Sequence, residues 1–403
     1  MNRTDLRVAF FPDAYYEVDG VANTSRQFEA FARRRSLPFL VVHAGPRNEA
    51  AVDGSVKRVQ IRRGPIGFRL DRAHSFDLAM LTRLGKVEEQ VDRFKPDVVH
   101  ITGPSDIGIL GALIAHRLHI PLVAAWQTNL HQYARSRAMA ATSFLPRAWR
   151  DGLGGIAEHW SFRATSRFYR IPRLLFAPNP EMVNLLRRVT GKPCFLMAHS
   201  VDTASFHPGL RSRSDSVFRI GYVGRMTPEK NVRALAQIES ELISRGQRNF
   251  GFTIVGDGAE REWLERHMTN AEFTGQLTGS ELARAFANLD VLVSPSETET
   301  FGLVVLEALA SGVPAIVTSR GGPKFTVQPG KTGFIAENIG DFARHIAALM
   351  EQRELLTAMR ISAREYALST SWDRIFDGMY DAYDRYLHAA NMVRTGVLDI
   401  AVG

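Results

Sequence analysis

The chain has 403 residues, 45% hydrophobic and 23% charged, the composition of a soluble globular protein with room for two or three domains. Its single cysteine, Cys194, excludes an internal disulfide and a thiolate metal cluster, and suits a reducing cytoplasm. No apolar run reaches the roughly 18 residues that span a bilayer, and the opening MNRTDLRVAFFPD turns acidic too soon for a secretory signal.

The net charge of +8 is unevenly placed. Residues 1–210 hold 29 Lys+Arg against 18 Asp+Glu, a net +11, while residues 211–403 hold 21 against 24, a net −3. Arg135 to Arg173 carries eight arginines, no lysine and two acids, interleaved with Phe144, Trp149, Trp160, Phe162, Phe168 and Tyr169. Such a stretch suits an anionic membrane, an anionic substrate or a nucleic-acid backbone. An ordinary basic face on helices whose aromatics are core would read the same way. No recognised nucleic-acid module accompanies the charge, so nucleic acid is not an expected partner.

In chain order, residues 5–200 alternate short apolar runs with helical patterns. RVAFFPD is followed by a helix near 22–35, then LPFLVVHAG, VKRVQI, a helix near 77–94, PDVVHITG, a helix near 106–118, PLVAAWQT and RLLFAPN. The runs are continuous rather than alternating, as in parallel strands covered on both faces. The second half repeats the rhythm with FRIGYVGR, a helix near 229–245, GFTIVGDG, AEFTGQL, a helix near 279–287, LDVLVSPS, a helix after Gly302, PAIVTSRGG and TGFIAEN. The expectation is an α/β protein of two doubly wound Rossmann-like domains with a cleft between the carboxyl ends of their strands. Residues 1–206 form the first domain, the polar segment 207–217 a linker, and 218–371 the second. The pattern SWDRIFDGMYDAYDRYLHAA predicts a helix over about 372–390 that packs back on the first domain.

Within ETFGLVVLE, Glu299 lies in a loop after a buried strand and Glu307 in the helix that follows, with Gly302 at the junction. A helix mouth offers free N–H groups and positive dipole character, and two carboxylates beside it suit the hydroxyls of a sugar nucleotide. Spacing alone is equally compatible with two solvated side chains. In GRMTPEKN, Arg225 and Lys230 flank a turn, with Pro228 and Glu229 fitting the first turn of a helix. A guanidinium and an ammonium so placed suit a diphosphate, or form an exposed basic loop. Gly20 stands where a loop meets a helix, a weak phosphate signal, and VGDGAE at 255–260 lacks the third glycine of a dinucleotide fingerprint.

The ordered set GRMTPEKN, VGDG, FTGQL and DVLVSPSETETFGLVVLEALASGVPAIVTSRGGP, with FHP before the linker and SWD opening the last helix, resembles the retaining glycosyltransferases of family four, which have the GT-B fold. The resemblance covers nearly the whole chain and implies hexose transfer from a UDP- or GDP-linked sugar to a hydroxyl acceptor. The basic, arginine- and aromatic-bearing first half is consistent with a membrane-associated glycolipid or lipid-linked acceptor, or with an acidic polysaccharide intermediate. The resemblance implies that Arg225 and Lys230 bind the donor diphosphate, that Glu299 contacts the transferred sugar and Glu307 the ribose. It places main-chain N–H groups around Phe301, Gly302 and Leu303 against sugar and phosphate, with Gly20 beside the same diphosphate. Asp13, Asn129, His131 and Tyr133 are candidate acceptor contacts. No cofactor or metal is expected.

Two departures from the family pattern stand out. Gln127-Thr128 occupies the place where many relatives have His-Thr near the reacting centre, and Gln127 can hydrogen-bond a hydroxyl but not shuttle a proton. SRGGPKFTV lacks the glutamate that relatives usually carry near Phe325. Front-face attack, in which a donor phosphate oxygen takes the acceptor proton, tolerates the first change, so an active enzyme is expected. The alternatives are a non-catalytic sugar-nucleotide-binding partner of another transferase, and a sugar-nucleotide 2-epimerase. The expected location is the cytoplasm, with peripheral attachment to the inner face of the cell membrane through Arg135 to Arg173.

Overall fold

The computed structural model describes residues 6–17, 20–63, 68–69, 75–127, 139, 142 and 147–394. The chain divides into two compact units, the first comprising Met1–Thr128, His159–Ala198 and Trp372–Gly403, the second Asn129–Glu158 and His199–Ser371.

The first unit is built on strands β1 (Val8–Phe11), β2 (Phe39–Gly45), β3 (Glu49–Asp53), β4 (Val56–Arg62), a short hairpin of β5 (Phe68–Arg69) and β6 (Ser75–Phe76), then β7 (Val98–Ile101), β8 (Leu122–Ala125), β9 (Leu174–Ala177) and β10 (Cys194–Leu196). Eight of these form one sheet in the order β10-β9-β8-β7-β1-β2-β4-β3, parallel except where β3 runs antiparallel to β4. Side chains alternate between its faces. Val8, Phe10, Phe39, Val41, Val123, Leu174 and Phe176 face one core, and Ala9, Phe11, Leu40, Val42, Ala124, Leu175 and Ala177 the other. Both faces are buried, which is why each strand reads as an unbroken apolar run.

Helices α1 (Gly20–Arg34), α2 (Leu84–Phe94), α3 (Asp106–Arg117) and α5 (Pro180–Thr190) accompany these strands, and the helix α4 (Arg147–Phe168) belongs to the second unit up to Glu158 and to the first from His159. The face bearing Phe10 is covered by α1 together with the C-terminal helix Trp372–Arg394, whose Trp372, Phe376, Tyr380 and Tyr383 recur at helical spacing and join the same core. Phe376 stacks on Phe28 of α1 with ring centroids 4.6 Å apart. The Tyr383 hydroxyl lies 2.6 Å from Nδ1 of the buried His100 on β7.

The second unit carries β11 (Phe218–Val223), β12 (Phe250–Val255), β13 (Ala271–Gly275), β14 (Val291–Ser294), β15 (Ala315–Thr318) and β16 (Gly333–Ala336) in the order β13-β12-β11-β14-β15-β16, all parallel. Its helices are α6 (Ala234–Ser244), α7 (Arg261–His267), α8 (Gly279–Ala287), α9 (Leu303–Ala310), α10 (Ile339–Glu351) and α11 (Arg353–Ser369). The segment read as a linker is tied down on this unit. Arg211 donates to the Leu289 carbonyl at 2.8 Å and to Asp290 at 2.7 Å, and Arg213 donates to the Asn288 carbonyl at 2.9 Å. Its polarity therefore serves specific hydrogen bonds as well as solvation.

Candidate functional site

The order of the second sheet reverses between β11 and β14, so the connections leaving their carboxyl ends diverge and leave a crevice between them. The first connection holds Arg225 and Lys230 and the second holds Glu299, Phe301 and Gly302. The glycines of VGDG serve the first connection by close packing, since a Cβ on Gly256 would stand 2.0 Å from the Gly224 carbonyl oxygen. Met226 N donates to the Asp257 carbonyl at 2.9 Å, and the buried Tyr222 hydroxyl donates to the Arg225 carbonyl at 2.9 Å. The helix predicted from 229 forms instead as a 3-10 turn, Pro228–Lys230, followed by left-handed Asn231 (φ 53°) and then α6 from Ala234. Lys230 therefore sits on a turn rather than at a helix N-terminus.

Asn231 and Thr298 join the two connections. Asn231 Nδ2 reaches the Pro295 carbonyl at 3.4 Å, and Thr298 Oγ1 donates to the Glu229 carbonyl at 3.0 Å. Lys230 Nζ and the Glu299 carboxylate form an ion pair between them, with side-chain exposures of 11% and 29%. The pair is half withdrawn from water yet open on one side, so its attraction is stronger than that of a surface pair.

Gly302 caps α9 in the left-handed region, φ 85°, and a Cβ there would lie 2.9 Å from Pro323 Cγ. The loop after β15 presses on the same segment. Gly322 N donates to the Glu299 carbonyl at 2.7 Å, and a Cβ on Gly322 would stand 2.0 Å from the Thr300 carbonyl oxygen. The double glycine of SRGGP thus permits backbone contact with the Glu299 loop.

Helix α9, LVVLEALA, is apolar on all sides except for Glu307, as expected of a helix packed within the fold. Burial alone pushes the Glu307 carboxyl up to about 7, although the residue keeps a partly exposed edge. Phe301, buried, packs against the His199 ring at 4.6 Å, and burial lowers His199 to about 4, leaving it neutral. Among the described residues no group of three or more His, Cys, Asp or Glu has the geometry to hold a metal ion.

In the first unit the strand order reverses between β1 and β7. Asp13 sits at that point, its backbone N–H donating to Thr102 Oγ1 at 2.7 Å and its carboxylate accepting from Ser105 Oγ. Gln127 is buried just after β8, and Gly20 opens α1. Asn129, His131 and Tyr133 lie outside the described residues.

The structure thus gathers Arg225, Lys230, Glu299, Phe301, Gly302, Leu303 and Glu307 along one edge of the second sheet, while Asp13, Gly20 and Gln127 belong to the first unit. Sequence reasoning passed over His199, Asn231 and Thr298. Asn231, in a turn after Pro and next to a lysine of interest, carried a readable left-handed turn signal. His199 stands about a hundred residues before Phe301, and nothing local marks their contact.

Two family models match the chain: a "Glycosyl transferase 4-like domain" over residues 17–193 and "Glycosyl transferases group 1" over residues 217–352. The GDP-mannose-dependent alpha-mannosyltransferase of Mycolicibacterium smegmatis is 30% identical over 400 residues, covering 95% of this chain and 98% of its own. The sulfoquinovosyl transferase of Arabidopsis thaliana is 30% identical over 395 residues, 91% of this chain and 71% of the relative. Among solved structures, a sucrose-phosphate synthase from Thermosynechococcus elongatus superposes with a TM-score of 0.71 at 18% identity, over 95% of this chain and all of that one. The fold is GT-B, two Rossmann-like α/β units. The chain belongs to the group 1 glycosyl transferases of family four. It is accordingly a glycosyltransferase that uses a nucleotide sugar.

Proposed function

We propose that this enzyme moves a mannosyl residue from GDP-mannose, with retention at the anomeric carbon, to a hydroxyl of a glycolipid or lipid-linked saccharide at a membrane surface. The donor follows the full-length likeness to GDP-mannose-dependent alpha-mannosyltransferases. The lipid acceptor is supported by relatives named as a sulfoquinovosyl transferase and an alpha-monoglucosyldiacylglycerol synthase. Carrying the reading is the ion pair of Lys230 with Glu299, which sets a phosphate-binding cation within one hydrogen bond of a carboxylate suited to sugar hydroxyls.

In this reading Arg225 and Lys230 hold the diphosphate, Glu299 the transferred sugar, and Glu307 the ribose. Phe301, Gly302 and Leu303 offer main-chain N–H groups to sugar and phosphate. As the bond from the anomeric carbon to the diphosphate oxygen breaks, the acceptor oxygen bonds to the same face and its proton passes to a leaving-group phosphate oxygen. Arg225 and Lys230 are set where that charge develops, so they supply the stabilisation without a metal or cofactor. Gly20 adds backbone contact to the diphosphate. Asp13 and Gln127 hydrogen-bond the acceptor, together with Asn129, His131 and Tyr133.

Thermal shift and turnover over GDP- and UDP-sugars test this directly, because a ligand stabilises the state it binds. GDP-mannose should raise the melting temperature most and label an extractable lipid. Failure of every sugar nucleotide to shift melting or to turn over would overturn the reading. Donor binding without transfer would favour a non-catalytic partner, and a 2-epimer formed without acceptor would favour an epimerase.

A further inference from the structure

The loop leaving β1 carries an exposed aromatic ring that is nevertheless held in one place. Tyr16 is 57% exposed, yet its hydroxyl donates to Gln60 Oε1 at 2.6 Å, and Gln60 Nε2 in turn donates to the Arg47 carbonyl at 2.9 Å. Gln60 and His43 are register partners near the carboxyl ends of β4 and β2. His43 stacks on Tyr15 with ring centroids 4.0 Å apart, and each lies 5.3 Å from the Tyr16 ring and nearly perpendicular to it. Because those two rings are so close together, both meet Tyr16 from the same side. Tyr15 is fixed in its turn, since its hydroxyl donates to the buried Glu29 of α1, which also accepts from Arg58 Nε at 2.6 Å.

Stability does not account for this arrangement. A tyrosine left more than half in water buries little apolar area, and ordering its ring costs side-chain entropy that one partly exposed hydrogen bond barely offsets. Binding does account for it. The ordering cost is met before a ligand arrives, and the ring stands at the carboxyl ends of the strands, where open α/β units take their ligands. The rest of the loop narrows the ligand, because it also carries Asp13 and Glu17, and Glu17 is steadied by the Tyr15 N–H at 2.8 Å and by Arg63 at 3.8 Å. A pyranose offers a C–H face for the electron-rich face of an aromatic ring and a rim of hydroxyls for carboxylates. A ring-free polyol matches the carboxylates alone, and an acyl chain the aromatic ring alone.

We propose that Tyr16 is a specificity-determining contact for the acceptor: its ring packs on the C–H face of an uncharged pyranose, so that the hydroxyl glycosylated belongs to a sugar rather than to the glycerol of a lipid. The inference rests on the reading of this chain as a transferase with a saccharide-bearing acceptor, and its test does not require turnover. Saturation-transfer NMR is run on the full-length protein with the methyl α-glycosides of mannose, glucose and galactose, and with glycerol as the ring-free probe. At least one glycoside should gain saturation at its ring C–H protons and glycerol none. Tyr16→Ala should weaken binding of that glycoside about tenfold, the loss expected of one well-packed aromatic contact, while Tyr16→Trp should retain it. Gln60→Met, which releases the Tyr16 hydroxyl, should weaken it about threefold. Trp160→Ala removes another exposed aromatic of the same unit and should change nothing. All variants should keep the wild-type melting shift with GDP-mannose. Saturation of no glycoside, equal saturation of glycerol, or unchanged binding in Tyr16→Ala would overturn the role of Tyr16 and leave the donor reading standing. Absence of the melting shift in the wild-type protein would instead overturn the donor reading, with the glycoside spectra still deciding Tyr16.

Discussion

Lys230 and Glu299, 69 residues apart in sequence, are paired across the two loops that leave β11 and β14. Each thereby keeps the other oriented before any ligand arrives. In the proposed donor site, binding of a diphosphate sugar rearranges that pair, Lys230 turning to phosphate and Glu299 to hydroxyls. Lys230→Met and Glu299→Gln are therefore each expected to lower kcat/KM by about two to three orders of magnitude, the range for loss of one preorganised charged contact. Because both groups serve one bound donor, the double variant should lose much less than the product of the two single losses. Steady-state kinetics on the four proteins checks this, and fully multiplicative losses would contradict the shared role.

Glu307 makes stability depend on pH. Its carboxyl is raised from the ordinary value of 4.5 to about 7 by burial, so the folded chain holds a proton that the unfolded chain has released. Stability is accordingly highest below the ordinary value and falls as pH rises through about 7, by on the order of 3 kcal/mol from this group. Glu307→Gln should remove that decline, gaining on wild type in melting temperature as pH is raised from about 5 to 8. The same substitution should weaken donor binding. In its proposed place at the ribose, a charged Glu307 carboxylate accepts hydroxyls better than a neutral acid, so wild-type donor affinity should rise with pH through about 7.

The contact of Gly322 with Thr300 offers a geometric test. Gly322→Ala places a methyl where the Thr300 carbonyl oxygen now sits, so the Glu299 loop must move. Donor affinity should fall at least tenfold, about 1.4 kcal/mol, by isothermal calorimetry. Gly330→Ala is the control, since its φ is 76° but nothing lies within 4 Å of the added Cβ. It should cost about 1 kcal/mol of stability and leave affinity unchanged.

Phe376→Ala should destabilise the first unit by about 3–5 kcal/mol, the usual cost of emptying a fully buried aromatic site. Donor protection of the second unit should persist in this variant, which differential scanning calorimetry with and without nucleotide sugar would show.

Gln127→Ala is expected to lower transfer while leaving donor affinity near wild type, since Gln127 is proposed to position the acceptor. A matched loss in both would assign it to the donor instead.

The strands were legible because two covered faces force continuous apolar runs, as in VAFF at Val8–Phe11 and FLVV from Phe39 to Val42. Strand β3 escaped notice because all five of its residues are exposed and EAAVD has no strand pattern. Lys230 was assigned to a helix start because Pro228-Glu229 suits one. Asn231, by adopting a left-handed conformation, ends the turn before a helix can form. The aromatics of the arginine-rich segment split in a way composition could not show: Phe162, Phe168 and Tyr169 pack inward, while Trp149 and Trp160 face solvent. The glutamate pair was visible as spacing, but the partner of Glu299 and the burial of Glu307 depend on contacts made by loops far apart in the chain.

The C-terminal helix completes a core begun by the first strand, so the order of synthesis and the order of assembly differ. Residues 199–371 can close their sheet as a continuous stretch as soon as they emerge, whereas Phe28, Phe31 and Val41 must wait for Trp372 to Tyr383, which are made after that whole stretch. At about 5–20 residues per second that delay lasts on the order of ten seconds or more, during which the side of α1 that meets Phe376 and Tyr380 stays bare. A nascent chain stalled before Trp372 should therefore be open to chaperones and proteases in its oldest part and resistant in its newest.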